Sequence, residues 1–198
     1  MIERPKALIN FIEAARKAFG EHATDSRSRT SVAAIFDAID SRQGDIVPQR
    51  FTLPVCHYLA GAAKGVREPQ TVADLVDAFV ALEPELSWRR RPTYDASTAS
   101  DNFHDGHGNC TVLGPVGFER RNDVTVGVSL LAPDVRYPDH DHPPEETYLV
   151  ASDGSFRQAE GNWFTPGVGG SFYNVPMIKH AMRSGKAPLL AFWALRMV

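Results

Sequence analysis

The stretch YPDHDHPPEETY, residues 137–148, packs two histidines, a pair of glutamates and two tyrosines between one turn signal and the next. If residues 139–143 are extended, His140 and His142 point to the same side, because side chains on a strand alternate with period two. The Pro143–Pro144 bend can then swing the carboxylate of Glu146 back toward the two imidazoles. A further histidine, His180, stands in NVPMIKHAMR (174–183), on a separate strand pair. Neutral imidazoles with one carboxylate make a good ligand set for Fe(II), Zn, Mn, Ni or Co. A lone histidine on a strand is ordinarily just hydrogen-bonded. The pattern H-x-H-x3-E followed by an isolated histidine is what carries the metal reading.

The texture around the motif sets the fold. After about residue 92 the segments are short, rich in Val, Phe, Tyr and Thr, and separated by Gly, Pro, Asn and Asp. VTVGVSLL (124–131), ETYLVAS (146–152), GSFRQAEG (154–161), NWFTPG (162–167), GSFYNV (170–175) and PLLAFWALRMV (188–198) read as strands joined by tight turns. That spacing predicts an antiparallel sandwich or barrel. Upstream, Leu8, Ile9, Phe11, Ile12 and Ala15 fall on one helical face, with Gly20 as its stop, and Val32, Ile35, Phe36 and Ile39 repeat the pattern. Residues 52–65 predict a third helix with Pro54 in its first turn. In residues 71–86, Thr71 and Asp74 resemble a capping pair ahead of the stripe Leu75, Val76, Phe79, Val80 and Leu82. The expected chain is mainly β with α: one unit over 1–198, with a helical N-terminal layer (1–91) preceding a metal-binding antiparallel barrel (92–198).

Bulk properties exclude several functions. A net charge of -3 with 23% charged residues gives no basic field for nucleic acid. The cluster Arg89–Arg91 reads as a solvated boundary. No apolar run reaches membrane-spanning length, and the N-terminal residues carry scattered charges without a cleavage site. Cys56 and Cys110 lie far apart in small or apolar surroundings and read as reduced thiols. A cytoplasmic protein, monomer or homodimer, with no membrane or nucleic-acid partner, is the expectation.

HDHPPEE (140–146), a turn at Gly154 and GGSFYNVPMIKH (169–180) together resemble the two-part signature of the cupins, small jelly-roll β-barrels that hold one metal. The finer pattern Y-x2-H-x-H-x3-E-x-Y, with a downstream P-x3-H-A-M-R, is similar to the cupin-type dimethylsulfoniopropionate (DMSP) lyases, especially the group lettered Q. The resemblance extends to the helical N-terminal half. It implies one divalent transition metal on His142, Glu146 and His180, with His140 beside it or bound to it. It also implies that Tyr148 acts in catalysis and that Tyr137 lies in the pocket.

The implied reaction removes the poorly acidic proton next to the substrate carboxylate, after which the sulfonium departs as a neutral thioether. A Lewis acid must stabilise the enolate-like charge, and a base must stand within about 3 Å of the carbon. Tyr148, two residues after Glu146, shares its strand face and is the first choice of base; Tyr137 is the second. A sulfonium calls for an aromatic wall. Alternation in the last strand turns Trp193 and Leu195 inward and Arg196 outward, so Trp193 is the first candidate, with Trp163 and Tyr173 after it. His104 and His107 read as a polar loop near the barrel mouth. Competing readings are another metal-dependent enzyme of this fold, an Fe(II) dioxygenase or isomerase, and a small-molecule sensor.

Overall fold

The computed structural model describes residues 3–197. The first part is helical: α1 (Lys6–His22) and α2 (Ser26–Ser41), then, after the short strand β1 (Asp45–Ile46), α3 (Leu59–Lys64) and α4 (Gln70–Leu82). Next come β2 (Trp88–Arg89), α5 (Phe103–Gly106), β3 (His107–Gly114), β4 (Glu119–Arg120) and β5 (Val124–Leu131). The remainder is β6 (Arg136–His140), β7 (Glu145–Val150), β8 (Ser155–Gln158), β9 (Ser171–Asn174), β10 (His180–Arg183) and β11 (Leu189–Arg196). Among the described residues these strands make an eight-stranded sheet, β1-β4-β3-β5-β11-β7-β9 with β2 beside β3, and a three-stranded sheet, β6-β10-β8. Every pairing within them is antiparallel except β3 with β4. Helices followed by antiparallel sheets are what the sequence predicts.

The last strand shows how the layers join. β11 reads as nearly unbroken apolar sequence because both its faces are covered. Phe192 turns outward to meet Phe11 of α1 and Phe79 of α4, at ring-centroid distances of 6.4 and 5.8 Å, and is fully buried. Trp193 turns the other way, into the barrel. Each phenylalanine in that cluster contributes about 1.5–3 kcal/mol by burial. A buried ionic clamp adds direction. Arg4 holds Glu119 of β4 at 2.6 Å and the Ile39 carbonyl at 2.9 Å, while Arg121 donates to the Ala38 and Arg42 carbonyls. Those carbonyls close α2, where the helix has no backbone N–H donors left to offer them and its dipole favours a cation.

Four local expectations are corrected. Gly20 lies inside α1, which continues to His22. Residues 52–65 divide into a 3₁₀ turn, Pro54–Tyr58, and the short α3. Thr71 does not cap α4. The helix begins after Pro69, and the Thr71 hydroxyl bonds the His22 ring at 3.1 Å instead. Residues 162–167 form no strand, only a bridge from Phe164 to Phe156, since Pro166 offers no N–H to a ladder. Both cysteines are free, as expected. Among the described residues no helix is long and apolar enough to cross a membrane.

Candidate metal and substrate site

The site forms where the two sheets meet. In the small sheet, β6 and β10 pair so that His140 stands directly opposite His180. The connector from β6 to β7 carries His142 across to the large sheet, where Glu146 and Tyr148 share the inner face of β7. On the neighbouring strand β11 their cross-strand partners are Leu195 and Trp193. Side chains from both sheets line one cavity of about 220 Å³. Tyr137, His140, His142, Glu146, Tyr148 and Trp193 all face it.

The three imidazoles are oriented in the same way. His140, His142 and His180 each place Nδ1 against a backbone carbonyl two residues away, of Pro138, Pro144 and Ile178, at 2.9, 2.8 and 2.9 Å. A carbonyl only accepts, so each Nδ1 carries the hydrogen and each Nε2 presents a lone pair. Two of those lone pairs face the same carboxylate oxygen: Nε2 of His142 and of His180 lie 3.4 and 3.3 Å from Glu146 Oε2. His180 Nε2 is buried and makes no hydrogen bond, despite that short approach. With Nδ1 protonated, Nε2 of His142, Nε2 of His180 and a carboxylate oxygen of Glu146 offer three ligand atoms that lie within 4.8 Å of one another, an arrangement that a divalent cation fits. The donor set therefore fits a metal of the divalent transition series. His140 stands outside this trio, its ring 4.1 Å from that of His180.

Charges follow the geometry. Burial opposes ionisation of Glu146, but hydrogen bonds and charge from His142 and His180 in their protonated form, the role a bound cation would take over, outweigh it and hold the carboxyl well below the usual carboxylate range. Burial, and then His180, keeps the His140 imidazole neutral by pushing it well down. A second support acts on Glu146: Asn174 of β9 donates to its Oε2 at 2.9 Å, and Gln158 of β8 fixes the Asn174 oxygen at 2.6 Å. The carboxylate is thus aimed before any ligand arrives.

The two tyrosines differ in surroundings. Tyr148 is pushed well up by burial and then by Glu146, and its ring stacks on Phe172 at 5.1 Å. Burial also raises Tyr137, with Arg91 and Asn109 pulling the other way. Arg91 acts first by its charge, and a directed chain of hydrogen bonds supplies the Asn109 part. Trp193 Nε1 donates to Ser129 Oγ at 3.0 Å, Ser129 donates to Asn109 Oδ1 at 2.7 Å, and Asn109 Nδ2 donates to Tyr137 Oη at 3.0 Å. Every donor points toward the phenol, so its oxygen accepts and its own hydrogen is left for the cavity.

Trp193 owes its place to a glycine. A Cβ on Gly127, its cross-strand neighbour on β5, would meet the indole at 2.3 Å, so only a missing side chain lets the ring lie flat against β5. Trp163 and Tyr173 are not brought to the cavity. Trp163 lies outside the small sheet beneath Arg183, Arg157 and Arg136, the nearest guanidinium carbon 4.3 Å from its centroid. Tyr173 points toward α2, bonded to Glu145 and covered by Arg27. On β9 the inner position falls to Phe172, one residue away.

His104 and His107 part company as well. His104 is exposed and pairs with Asp105. His107 is buried at the start of β3, stacked on Phe103 at 3.7 Å, with Nδ1 on the Phe103 carbonyl and Nε2 accepting the Arg91 backbone N–H. Arg91 itself lines the cavity rather than marking a solvated boundary. Alternation in VTVGVSLL held a usable signal for Thr125, Gly127 and Ser129. Asn109 and Arg91 carried none, because nothing local tells a cavity arginine from its neighbours.

Three comparisons bear on this site. The family model described as dimethylsulfoniopropionate lyase matches residues 27–191. Among solved structures, one from work on the DMSP lyases RdDddP and RnDddQII superposes with a TM-score of 0.71 at 24% identity, covering 96% of this chain and 92% of that one. The DMSP lyase DddQ from Ruegeria pomeroyi DSS-3 gives a TM-score of 0.71 at 22% identity, with 98% and 92% covered. At these identities the superpositions speak for the shared fold. No curated protein matches the sequence.

Proposed function

The chain belongs to the dimethylsulfoniopropionate lyase family, and from that premise we propose that it cleaves DMSP to acrylate and dimethyl sulfide at a divalent metal held by His142, Glu146 and His180, with His140 beside them. The observation that carries the metal is the pair of Nε2 lone pairs converging on Glu146 Oε2 at 3.4 and 3.3 Å. A bound divalent cation supplies Lewis acidity for the charge developing on the substrate and draws the neighbouring phenols toward ionisation.

The chain's own groups do the rest. Tyr148, on the face of β7 that carries Glu146, takes the proton next to the substrate carboxylate. The electron pair released forms the carbon–carbon double bond as the carbon–sulfur bond breaks, and dimethyl sulfide leaves neutral. Tyr137, held from behind by Asn109, directs its hydroxyl at the substrate and fixes its pose. Trp193 offers an aromatic face to the sulfonium, a contact worth about 0.5–2 kcal/mol.

Tyr148→Phe tests the assignment, because it keeps the ring and its stack on Phe172 and removes only the hydroxyl. Metal content and melting temperature should be retained while turnover falls by about 10² to 10⁴. Tyr137→Phe should cost less and act more on KM. A Tyr148→Phe protein that holds metal and turns over at the wild-type rate rules out this base.

A further inference from the structure

Arg91 is the only lysine or arginine among the described residues that line the cavity. The one carboxylate among the described residues that line it, Glu146, accepts from Asn174 and faces the two imidazoles of His142 and His180. No ion pair joins Arg91 to any described carboxylate, in contrast to Arg4, Arg121, Arg136 and Arg157. Its position is fixed from two sides. The backbone N–H donates to His107 Nε2 at 2.9 Å, and the side-chain Nε donates to the Thr93 carbonyl at 3.1 Å. With Nε on the Thr93 carbonyl, the rest of the guanidinium is turned to the cavity, where the side chain also interacts with the Tyr137 hydroxyl. A pinned guanidinium without a counter-ion, set against aromatic and hydroxyl groups, is built to receive a planar anion from outside.

We infer that Arg91 is the carboxylate-recognising residue of this site, holding the carboxylate end of a zwitterionic substrate and so directing the cationic end to the Trp193 face. This rests on the lyase reading and deepens it. Charge decides the orientation: a sulfonium beside Arg91 meets a like charge, whereas a carboxylate there meets an opposite one. A carboxylate has enough acceptor positions for a guanidinium on one side and a second cation on the other. Arg91 therefore contributes to binding more than to the proton transfer, and it binds the unsaturated carboxylate product by the same contact.

The test is equilibrium binding of acrylate, with acrylamide as its uncharged counterpart, to the metal-loaded wild type, Arg91→Lys and Arg91→Met. Each variant's fold is checked by its melting temperature. The expected result is that Arg91→Met loses about 10- to 100-fold in acrylate affinity, the range for one charge-assisted hydrogen-bonding group, with acrylamide binding unchanged. Arg91→Lys should recover part of the loss. With DMSP the Arg91→Met defect should appear in KM, with kcat within a few-fold of wild type. Folded Arg91→Met that still prefers acrylate over acrylamide as strongly as wild type overturns the inference, and does so even where wild type releases dimethyl sulfide normally. A wild type that releases no dimethyl sulfide, yet loses its acrylate preference on Arg91→Met, sinks the lyase reading and supports the carboxylate site.

Discussion

His107 makes the fold sensitive to mild acid. Its ring is almost wholly buried, and burial, followed by the nearby cations Arg90, His104 and Arg91, outweighs the Phe103 carbonyl and pushes its pKa down from 6.5 to about 4. Since the folded pKa lies below the unfolded one, the unfolded chain takes up the proton first. The stabilising contribution is complete above the unfolded value and is lost as pH falls toward the folded value. Each pKa unit is worth ~1.4 kcal/mol, so moving from about pH 7 to about pH 5 should cost about 2 kcal/mol, and full protonation about 3 kcal/mol. Structurally, a proton on Nε2 would face the Arg91 N–H that this nitrogen now accepts. The assay is urea unfolding of wild type and His107→Gln at matched pH and metal content, read as midpoint times slope. Other groups titrate in both proteins, so the difference isolates His107. The gap between them should shrink, or reverse, by about 2 kcal/mol on acidification. Parallel loss of stability in the two proteins would refute the reasoning.

Two further predictions concern packing. Gly127→Ala places a Cβ 2.3 Å from the Trp193 ring and 2.5 Å from the Cys110 carbonyl, so the indole must move by about 1 Å or more to regain ordinary contact. A loss of about 1–3 kcal/mol on thermal unfolding and a raised KM should follow; an unchanged KM would show that the Trp193 face does not touch substrate. Residues 92–198 expressed alone lose the helices that cover Phe192, together with β1 and β2. That fragment should be insoluble or bind a hydrophobic dye, and a soluble, active fragment would show that the helical layer is dispensable.

Much of this was legible in the sequence because the signals are local. Period-two alternation in β7 and β11 put Glu146 with Tyr148, and Trp193 with Leu195, on inner faces, and a helical period of 3.6 marked the buried stripes of α1, α2 and α4, except that Ile9 and Val80 fall at their edges and are exposed. The failures are tertiary. Trp163 and Tyr173 have the composition of cavity residues, but a shift of one position along a strand turns a side chain to the opposite face. Tyr173 thus faces α2 while Phe172 faces in. Asn109 and Ser129 enter through pairing of β3 with β5, where they stand opposite each other. Arg91 depends on a strand edge and a buried histidine sixteen residues away in sequence. Thr71 had a better partner in His22 than the backbone of its own helix.

The central claim is that DMSP cleavage runs at a metal held by His142, Glu146 and His180. Headspace detection of dimethyl sulfide tests it directly, on purified protein given DMSP when metal-loaded, chelator-stripped and reloaded, with metal content measured in the same samples. The expected result is release by the loaded protein, none after stripping, recovery on reloading, and neither metal nor activity in the His142→Ala, His180→Ala double variant. Undiminished release by the stripped protein, or a full equivalent of metal retained by that double variant, would contradict it.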